Sequence, residues 1–118
     1  MYNTQIREIK QRDHILGTDE FKRRLIAGVA ALGKNPPINR MPSYLNNGED
    51  AQKLVDEYKD MGIVQMHPSS IMYPRQDIKA NRVIGKYFDL VDKKWLETGT
   101  FTMIYSSKGV HIYPIKPY

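Results

Sequence analysis

Apolar residues recur at helical spacing in the first half of the chain. After Thr18, which suits a helix N-cap, the pattern predicts a helix that ends near Gly33. Its apolar stripe should face the core and consists of Phe21, Leu25, Ile26, Val29 and Leu32. A short helix is predicted over residues 6–13. A further one runs roughly over residues 49–61, with apolar positions at Ala51, Leu54, Val55 and Tyr58.

The last third of the chain is instead rich in β-branched and aromatic residues, which is typical of strands. Strands are predicted at Ile63–Met66, Arg82–Val91, Thr100–Ser106 and Val110–Ile115, with hairpin connections at 92–94 and 107–109. The pattern assigns nothing over residues 68–79. We therefore predict an α+β fold in which the N-terminal helices pack on one face of an antiparallel sheet of about four strands. The 118 residues should form a single domain, helical over about 4–61 and sheet over about 62–116.

Between the second and third predicted helices lies a long polar segment, residues 34–47, with three prolines and four asparagines. Such a composition predicts an irregular loop. Loops of this length are uncommon in compact domains and often carry function. We therefore expect this loop to take part in the functional site or in a partner contact.

Composition narrows the classes of function. Lys and Arg number 18 against 13 Asp and Glu, a net charge of +5, which favours polyanionic partners such as nucleic acid. No cysteine is present, which excludes disulfides, iron–sulfur clusters and thiolate chemistry. No apolar run is long enough to span a membrane, and the first residues lack the apolar stretch of a signal peptide. An exported form would therefore carry its address elsewhere, on a larger polypeptide.

The sequence lacks the motifs of metal, nucleotide and serine hydrolase sites: HExxH, a Walker loop, GxGxxG and GxSxG. No cofactor is therefore expected. What remains is acid–base chemistry by His14, His67 or His111, with Lys, Arg, Ser, Thr and Tyr in support. Those residues suffice to cleave RNA without a metal. A base takes the 2′-hydroxyl proton, an acid protonates the leaving 5′-oxygen, and cations and hydroxyls stabilise the phosphorane.

Strand alternation would allow such a site on the sheet. If helices bury the face of Phe101, Met103 and Tyr105, then Thr100, Thr102 and Ser106 line an open surface on the other side. Arg82 and Lys86 share a face of one strand, and His111 and Tyr113 share a face of another. The alternation does not fix the register between strands. Each of these residues also has a purely structural interpretation, as a helix-end histidine, a strand-forming threonine or a surface charge; His67 is expected at the surface.

Two terminal segments resemble the type 50 polymorphic toxin domain. Residues 10–18, KQRDHILGT, are similar to that family's opening KQ-x-KHI-x-GT, and residues 104–114, IYSSKGVHIYP, to its ending HYSKKG-x-HIVP. Between them, residues 51–58 resemble its LLDKYAGTG helix and residues 82–87 its GKVIGYY strand. The matches occur in order and cover most of the chain except the 34–47 loop.

The resemblance implies a nuclease of the barnase, EndoU, colicin E5/D and RelE-like group. Such a domain is secreted or contact-delivered as part of a larger effector, or carried on a phage head protein, and acts in the target-cell cytoplasm until a cognate immunity protein silences it. The family's motif histidines fall on His14 and His111. Its other motif positions fall on Thr18, Tyr105, Ser106 and Lys108.

The chain departs from the family pattern at three motif positions. Asp13 and Arg82 stand where the family has lysine, and Ile104 stands where it has histidine. An isoleucine has no ionisable group, so either position 104 is not the essential acid or base, or the activity has changed. Arginine at 82 keeps the charge and offers a bidentate phosphate clamp.

The leading hypothesis is a monomeric, metal-independent ribonuclease toxin domain. Its catalytic residues would be His14, His111, Arg82, Thr102 and Ser106, with the histidines as acid/base pair and Arg82 on the phosphorane. Substrate contacts would come from Lys10, Thr18, Lys86, Thr100, Tyr105 and Lys108. The alternatives are a non-catalytic RNA-binding or phage head-associated module, and a DNase. Most DNA hydrolysis relies on a metal, which disfavours the DNase.

Overall fold

A computed structural model describes residues 3–61, 63–67 and 70–118. Within this part the chain forms helices α1 (Glu8–Gln11), α2 (Asp19–Leu32) and α3 (Ala51–Tyr58), and a 3₁₀ turn at Arg12–His14. Its strands are β1 (Tyr44–Leu45), β2 (Ile63–His67), β3 (Ser70–Lys79), β4 (Gly85–Asp89), β5 (Lys94–Thr98), β6 (Thr100–Ser106) and β7 (Gly109–Pro114). The α+β class is confirmed. None of the described helices is long and apolar enough to cross a membrane.

The strands form two antiparallel sheets rather than one. The larger sheet has four strands in the order β2-β3-β6-β7, and the smaller has three in the order β1-β4-β5. The segment left unassigned by its pattern supplies β3, at the centre of the larger sheet. The strand predicted at 82–91 is shorter, and it pairs with β5 in the smaller sheet because a turn at residues 90–93 folds the chain back. Strand β5 was not predicted; only Gly99 separates it from β6.

Helix α3 covers one face of the larger sheet, as the pattern of its apolar residues predicts. Leu54, Val55 and Tyr58 are buried, and the Tyr58 ring packs edge-on against Phe101 at 5.7 Å between ring centroids. The other buried apolar residues of this core are Leu45, Ile78, Ile84, Met103, Tyr105, Val110 and Ile112. Burial of these side chains is the main stabilising contribution. The opposite face of the sheet is therefore left for the functional site.

Helix α2 begins as predicted but buries a different face. The Thr18 hydroxyl accepts a hydrogen bond from the Phe21 amide, and Gly33 ends the helix. The predicted core stripe is wrong in part, because Ile26 is 71% exposed and Val29 is 57% exposed. The buried residues are Phe21, Gly28 and Ala31. The prediction that all helices lie on one sheet face also fails, because α2 packs on the smaller sheet, where Phe21 contacts the Tyr44 ring.

Small residues determine how closely α2 approaches its neighbours. A Cβ atom added at Gly28 would lie 2.7 Å from the Met41 sulfur and 2.9 Å from the Met41 Cα. The helix can therefore contact the backbone of the 34–47 loop only because position 28 lacks a side chain. This close contact, rather than the apolar stripe, selects the buried face.

The N-terminal segment runs along the free edge of β7. The Arg7 amide donates to the Val110 carbonyl, and the Val110 amide donates to the Gln5 carbonyl. Farther along, the buried Gln11 side chain accepts from the Ile112 amide and donates to the Ile112 carbonyl. An amide side chain thus takes the place of one residue of a neighbouring strand. This arrangement fixes the turn that carries His14 beside β7.

Candidate active site

The face of the larger sheet opposite α3 carries two rows of side chains, of which all but Ile104 are polar or aromatic. Strand register places Arg75 opposite Ile104, and Ile104 opposite His111. The neighbouring row consists of Asp77, Thr102 and Tyr113. The register, which strand alternation alone did not fix, therefore gathers three strands' side chains on one surface.

The two histidines predicted as an acid/base pair meet on this surface. The His14 and His111 rings lie 6.4 Å apart between centroids and are nearly parallel, at 4°. The Tyr113 ring is the third member of the group, 5.0 Å from His14 and 6.0 Å from His111. His14 comes from the 3₁₀ turn and the other two from β7, so 97 positions of sequence separate the paired histidines.

A backbone contact fixes the tautomer of His14. Its Nδ1 atom lies 2.9 Å from the carbonyl oxygen of Ser43. A carbonyl only accepts hydrogen bonds, so Nδ1 carries the proton and, in the neutral ring, Nε2 holds a lone pair. No buried side-chain nitrogen or oxygen of the described residues lacks a partner, and no hydrogen bond within this part of the chain involves Nε2. Nε2 therefore reaches solvent, although only 8% of the residue is exposed.

Burial strongly disfavours a positive charge on either ring. Desolvation lowers the pKa of His14 to about 4, against an opposing contribution from its hydrogen bond to Ser43. Desolvation also lowers the pKa of His111 to about 4, with further lowering by the charges of His14 and Lys10. Asp13 acts in the opposite direction on both. Both histidines are therefore neutral at pH 7, and His14 presents a basic nitrogen.

The three rings form part of the wall of a cavity of about 800 Å³. The 34–47 loop, for which a functional role was predicted, supplies another part of the wall with residues 39–43. Three hydrogen bonds hold this segment in place. Asn39 donates to the Phe88 carbonyl, the Trp95 indole donates to the Pro42 carbonyl, and His14 donates to Ser43. Strand β4 with its following turn, and residues 114–116, complete the wall.

Positive charge predominates around the cavity. Arg24, Arg40 and Lys116 line it, and Asp89 is the acidic residue among the described lining residues. Arg24 pairs with Asp13 at 3.1 Å, while no ion pair involves Arg40 or Lys116 in the part of the chain that the structure describes. The charge of Arg24 adds to the desolvation that lowers the pKa values of His14 and His111, and it acts against the desolvation that raises the pKa of Tyr113. Arg24 is thus the cation that acts on all three rings.

Several predicted site residues lie elsewhere. Arg82 forms ion pairs with Glu49 and Glu57 and contacts the Tyr58 hydroxyl, which places its guanidinium on the α3 side of the larger sheet. Ser106 donates to the Gly109 carbonyl within the β6–β7 turn. The structure does not bring either residue to the histidines, because hydrogen bonds and charge pairing hold each at another position.

The threonines also differ from expectation. Thr100 and Thr102 do not line an open surface, because 4% and 0% of their respective surfaces are exposed. Thr102 nevertheless lies in the Tyr113 row, where its hydroxyl donates to Asp77. Asp77 in turn pairs with Arg75 at 2.9 Å. Thr102 is therefore a buried support for this acidic and basic pair rather than a residue open to substrate.

The predicted substrate contacts divide in the same way. Lys10 is exposed on α1, near enough to His111 to influence its pKa. Thr18 caps α2, and Tyr105 is buried in the core with its hydroxyl on Gln76. The remaining two, Lys86 and Lys108, do not line the cavity. Lys86 lies on β4, where strand register places it between Tyr44 of β1 and Glu97 of β5. Lys108 is exposed in the β6–β7 turn. The prediction that the His67 side chain lies at the surface falls outside what the structure describes.

Sequence reasoning pointed to the 34–47 loop as a segment but missed the individual contributions of Ser43, Arg24 and Arg75. Ser43 contributes only a carbonyl group, which no side-chain pattern reveals. Arg24 is one of several cations on α2, and Arg75 belongs to the strand that the pattern left unassigned. Tyr113 could have been found from the sequence, because strand alternation places it on the same face of β7 as His111. Among the described residues, no group of three or more His, Asp or Glu side chains could hold a metal ion.

Comparison with known proteins agrees with the terminal motifs. A sequence model of a family described as bacterial toxin 50 matches residues 6–114, a span that includes both histidines, the 34–47 loop and every described strand. No curated protein and no solved structure is significantly similar to the chain. The match extends over far more than half of the sequence, and the chain therefore belongs to the bacterial toxin 50 family.

Proposed function

We propose that this toxin domain is a metal-independent ribonuclease that cleaves RNA by attack of the 2′-hydroxyl on the adjacent phosphate. The observation that carries the proposal is the pair of parallel, neutral histidine rings 6.4 Å apart in a cavity lined by cations. Two imidazoles beside one cavity can serve the two proton transfers that this reaction requires. RNA supplies its own nucleophile, so the protein needs to provide only proton transfer, positioning and charge stabilisation.

His14 acts as the general base in this proposal. Its Nδ1–H is engaged by the Ser43 carbonyl, which leaves Nε2 as the acceptor for the 2′-hydroxyl proton. The lowered pKa keeps the ring unprotonated at neutral pH, so nearly all molecules are in the form able to accept a proton. The hydrogen bond to Ser43 also stabilises the cation that forms when Nε2 takes the proton.

His111 acts as the general acid and must be protonated before the 5′-oxygen leaves. In the free protein its pKa is about 4, so only a small fraction carries the proton at pH 7. A bound phosphodiester is an anion, and an anion within a few ångströms raises the pKa of a histidine. Substrate binding therefore prepares the acid.

Arg24 stabilises the negative charge of the phosphorane. It lines the cavity, and its charge acts on both histidines and Tyr113, whereas Arg82 lies on the α3 side of the sheet. Arg40 and Lys116 attract the flanking phosphates. Removal of one charge-stabilising donor from such a site lowers kcat by about 10² to 10³-fold.

The biological setting follows the family. We propose that the domain acts as a monomer in the cytoplasm of a target cell, delivered as part of a larger effector or phage particle, and that a cognate immunity protein neutralises it. Expression of the domain alone should arrest bacterial growth. Expression of the His111→Ala variant should not.

The test is incubation of the purified protein with total cellular RNA in excess EDTA. We expect cleavage that leaves 2′,3′-cyclic phosphate ends and that is lost in the His14→Ala and His111→Ala variants. Arg24→Ala should be strongly impaired. The matched control for Arg24→Ala is Arg82→Ala. Arg82 is also exposed and ion-paired, but it lies on the α3 side of the larger sheet, so this variant should cleave RNA normally.

Two results would overturn the proposal. Intact RNA with folded wild-type protein would indicate a binding module whose histidines have structural roles. Cleavage of DNA that requires magnesium, without cleavage of RNA, would indicate a DNase.

A further inference from the structure

We infer that the cavity holds an unpaired nucleobase against Tyr87, so that the substrate is single-stranded RNA. This inference rests on the proposed function for the position of the scissile phosphate. The cavity that His14, His111 and Tyr113 line also has apolar and aromatic residues in its wall. These include Met41, Pro42, Tyr87, Leu90, Val91 and Ile115.

Tyr87 has the properties of a stacking residue. It lies on β4, half-buried, and register places it on the opposite face of that strand from Phe88, which packs on Trp95. Tyr87 itself makes no ring contact or hydrogen bond within the described part of the chain, unlike Phe21, Tyr44 and Phe88, each of which has an aromatic partner. A ring that lines a cavity without a partner offers a face to a planar ligand.

Charge and a shared cavity identify that ligand as a nucleobase. Tyr87 lines the same cavity as the two histidines and as the cations Arg24, Arg40 and Lys116. A ligand that places an anionic group near the cations and a flat, largely apolar group against Tyr87 matches a nucleotide. The volume of about 800 Å³ also lies within the range of small-molecule sites and is sufficient for one nucleotide.

The depth of the histidines excludes a paired substrate. Only 8% of His14 is exposed, so the reacting phosphate must enter the cavity to reach Nε2. In an A-form duplex the bases are stacked and paired, and the backbone cannot turn inward without unpairing them. A single strand can bend its backbone into the cavity and place the adjacent base on Tyr87. The same residues thus determine both reactivity and the class of RNA.

The test measures binding apart from cleavage. A fluorescent oligonucleotide with 2′-O-methyl riboses cannot be cleaved, and its binding as a single strand and as a duplex is compared by anisotropy. We expect the single strand to bind on the order of tenfold more tightly than the duplex or better. Tyr87→Leu should weaken single-strand binding by about 5- to 100-fold, the range found for loss of one base–aromatic stack. Tyr87→Phe keeps the ring and should bind within about twofold of the wild type.

The control variant is Tyr118→Leu, which removes an exposed tyrosine that packs on Lys79 and does not line the cavity. It should bind like the wild type. If Tyr87→Leu does not fold, the comparison of single strand with duplex on the wild-type protein still decides the question.

Each outcome separates this inference from the proposed function. Equal binding of duplex and single strand, or unchanged binding by folded Tyr87→Leu, overturns the base site even if the protein cuts RNA. Single-strand binding that depends on Tyr87, in a protein that leaves RNA intact, supports the base site and contradicts the ribonuclease. Absence of any binding by the wild type overturns the base site as well.

Discussion

Replacement of His14 by asparagine should make the protein resist acid better than the wild type. Asparagine carries an N–H donor near the position of Nδ1, so the hydrogen bond to the Ser43 carbonyl can persist. The substitution removes the group that titrates. Any difference between the two proteins that varies with pH therefore reports the histidine.

The magnitude follows from the pKa of His14, which burial lowers from its ordinary 6.5 to about 4. Between those values the unfolded chain binds a proton that the folded protein does not, so the free energy of unfolding falls as the pH falls. The full loss, reached below pH 4, is about 3 kcal/mol, since one pKa unit corresponds to about 1.4 kcal/mol. His111 contributes a loss in the same direction, because its pKa is also lowered to about 4.

The assay is urea unfolding of both proteins at several pH values from 7 to 4. The difference in the free energy of unfolding should move by about 3 kcal/mol in favour of His14→Asn as the pH falls. With ordinary urea dependence this is a relative shift of about 1–3 M in the midpoint. Thr18→Ala, which removes a helix cap without removing a titrating group, should differ from the wild type by the same amount at every pH. A difference between His14→Asn and the wild type that is constant with pH would refute the reasoning.

Three further changes test the parts that build the site. Gly28→Ala should destabilise the protein by about 1–3 kcal/mol, despite the better helix propensity of alanine, because its Cβ would collide with Met41; thermal unfolding measures this, and a stabilised variant would contradict it. Gln11→Leu should cost about 2–4 kcal/mol, since it leaves the Ile112 amide and carbonyl without partners, and urea unfolding should show it. Thr18→Ala should cost about 1–2 kcal/mol by the same measurement yet leave RNA cleavage unchanged; reduced cleavage by the folded variant would instead restore a substrate role for Thr18.

The sequence determined those features that depend on local patterns. The apolar spacing of Leu54, Val55 and Tyr58 located α3 and its buried face, and the polar hydroxyl of Thr18 located the start of α2. Alternation in β6 separated the core face, with Phe101 and Tyr105, from the face that carries the site. The two motif histidines were also identified from the sequence, through their resemblance to the family. Each of these features involves residues within one helical turn, one strand or one motif.

Tertiary structure alone decided which of those elements meet. A hairpin connection at 92–94 was predicted, but the separate strand β5 that pairs with β4 was not, and neither were the ion pairs that hold Arg82 to the glutamates of the α3 side instead of at the site. The buried face of α2 depends on the close approach of Gly28 to Met41. The apolar pattern of a helix does not show which neighbouring segment will cover that helix. The state of His14 depends on a carbonyl 29 positions away and on the degree of burial, and neither is a property of the residue or of its neighbours in sequence. Contacts between distant segments determine the pKa values, the cavity and the choice among many similar cations, and for this reason the chemistry of the site became visible only in the folded chain.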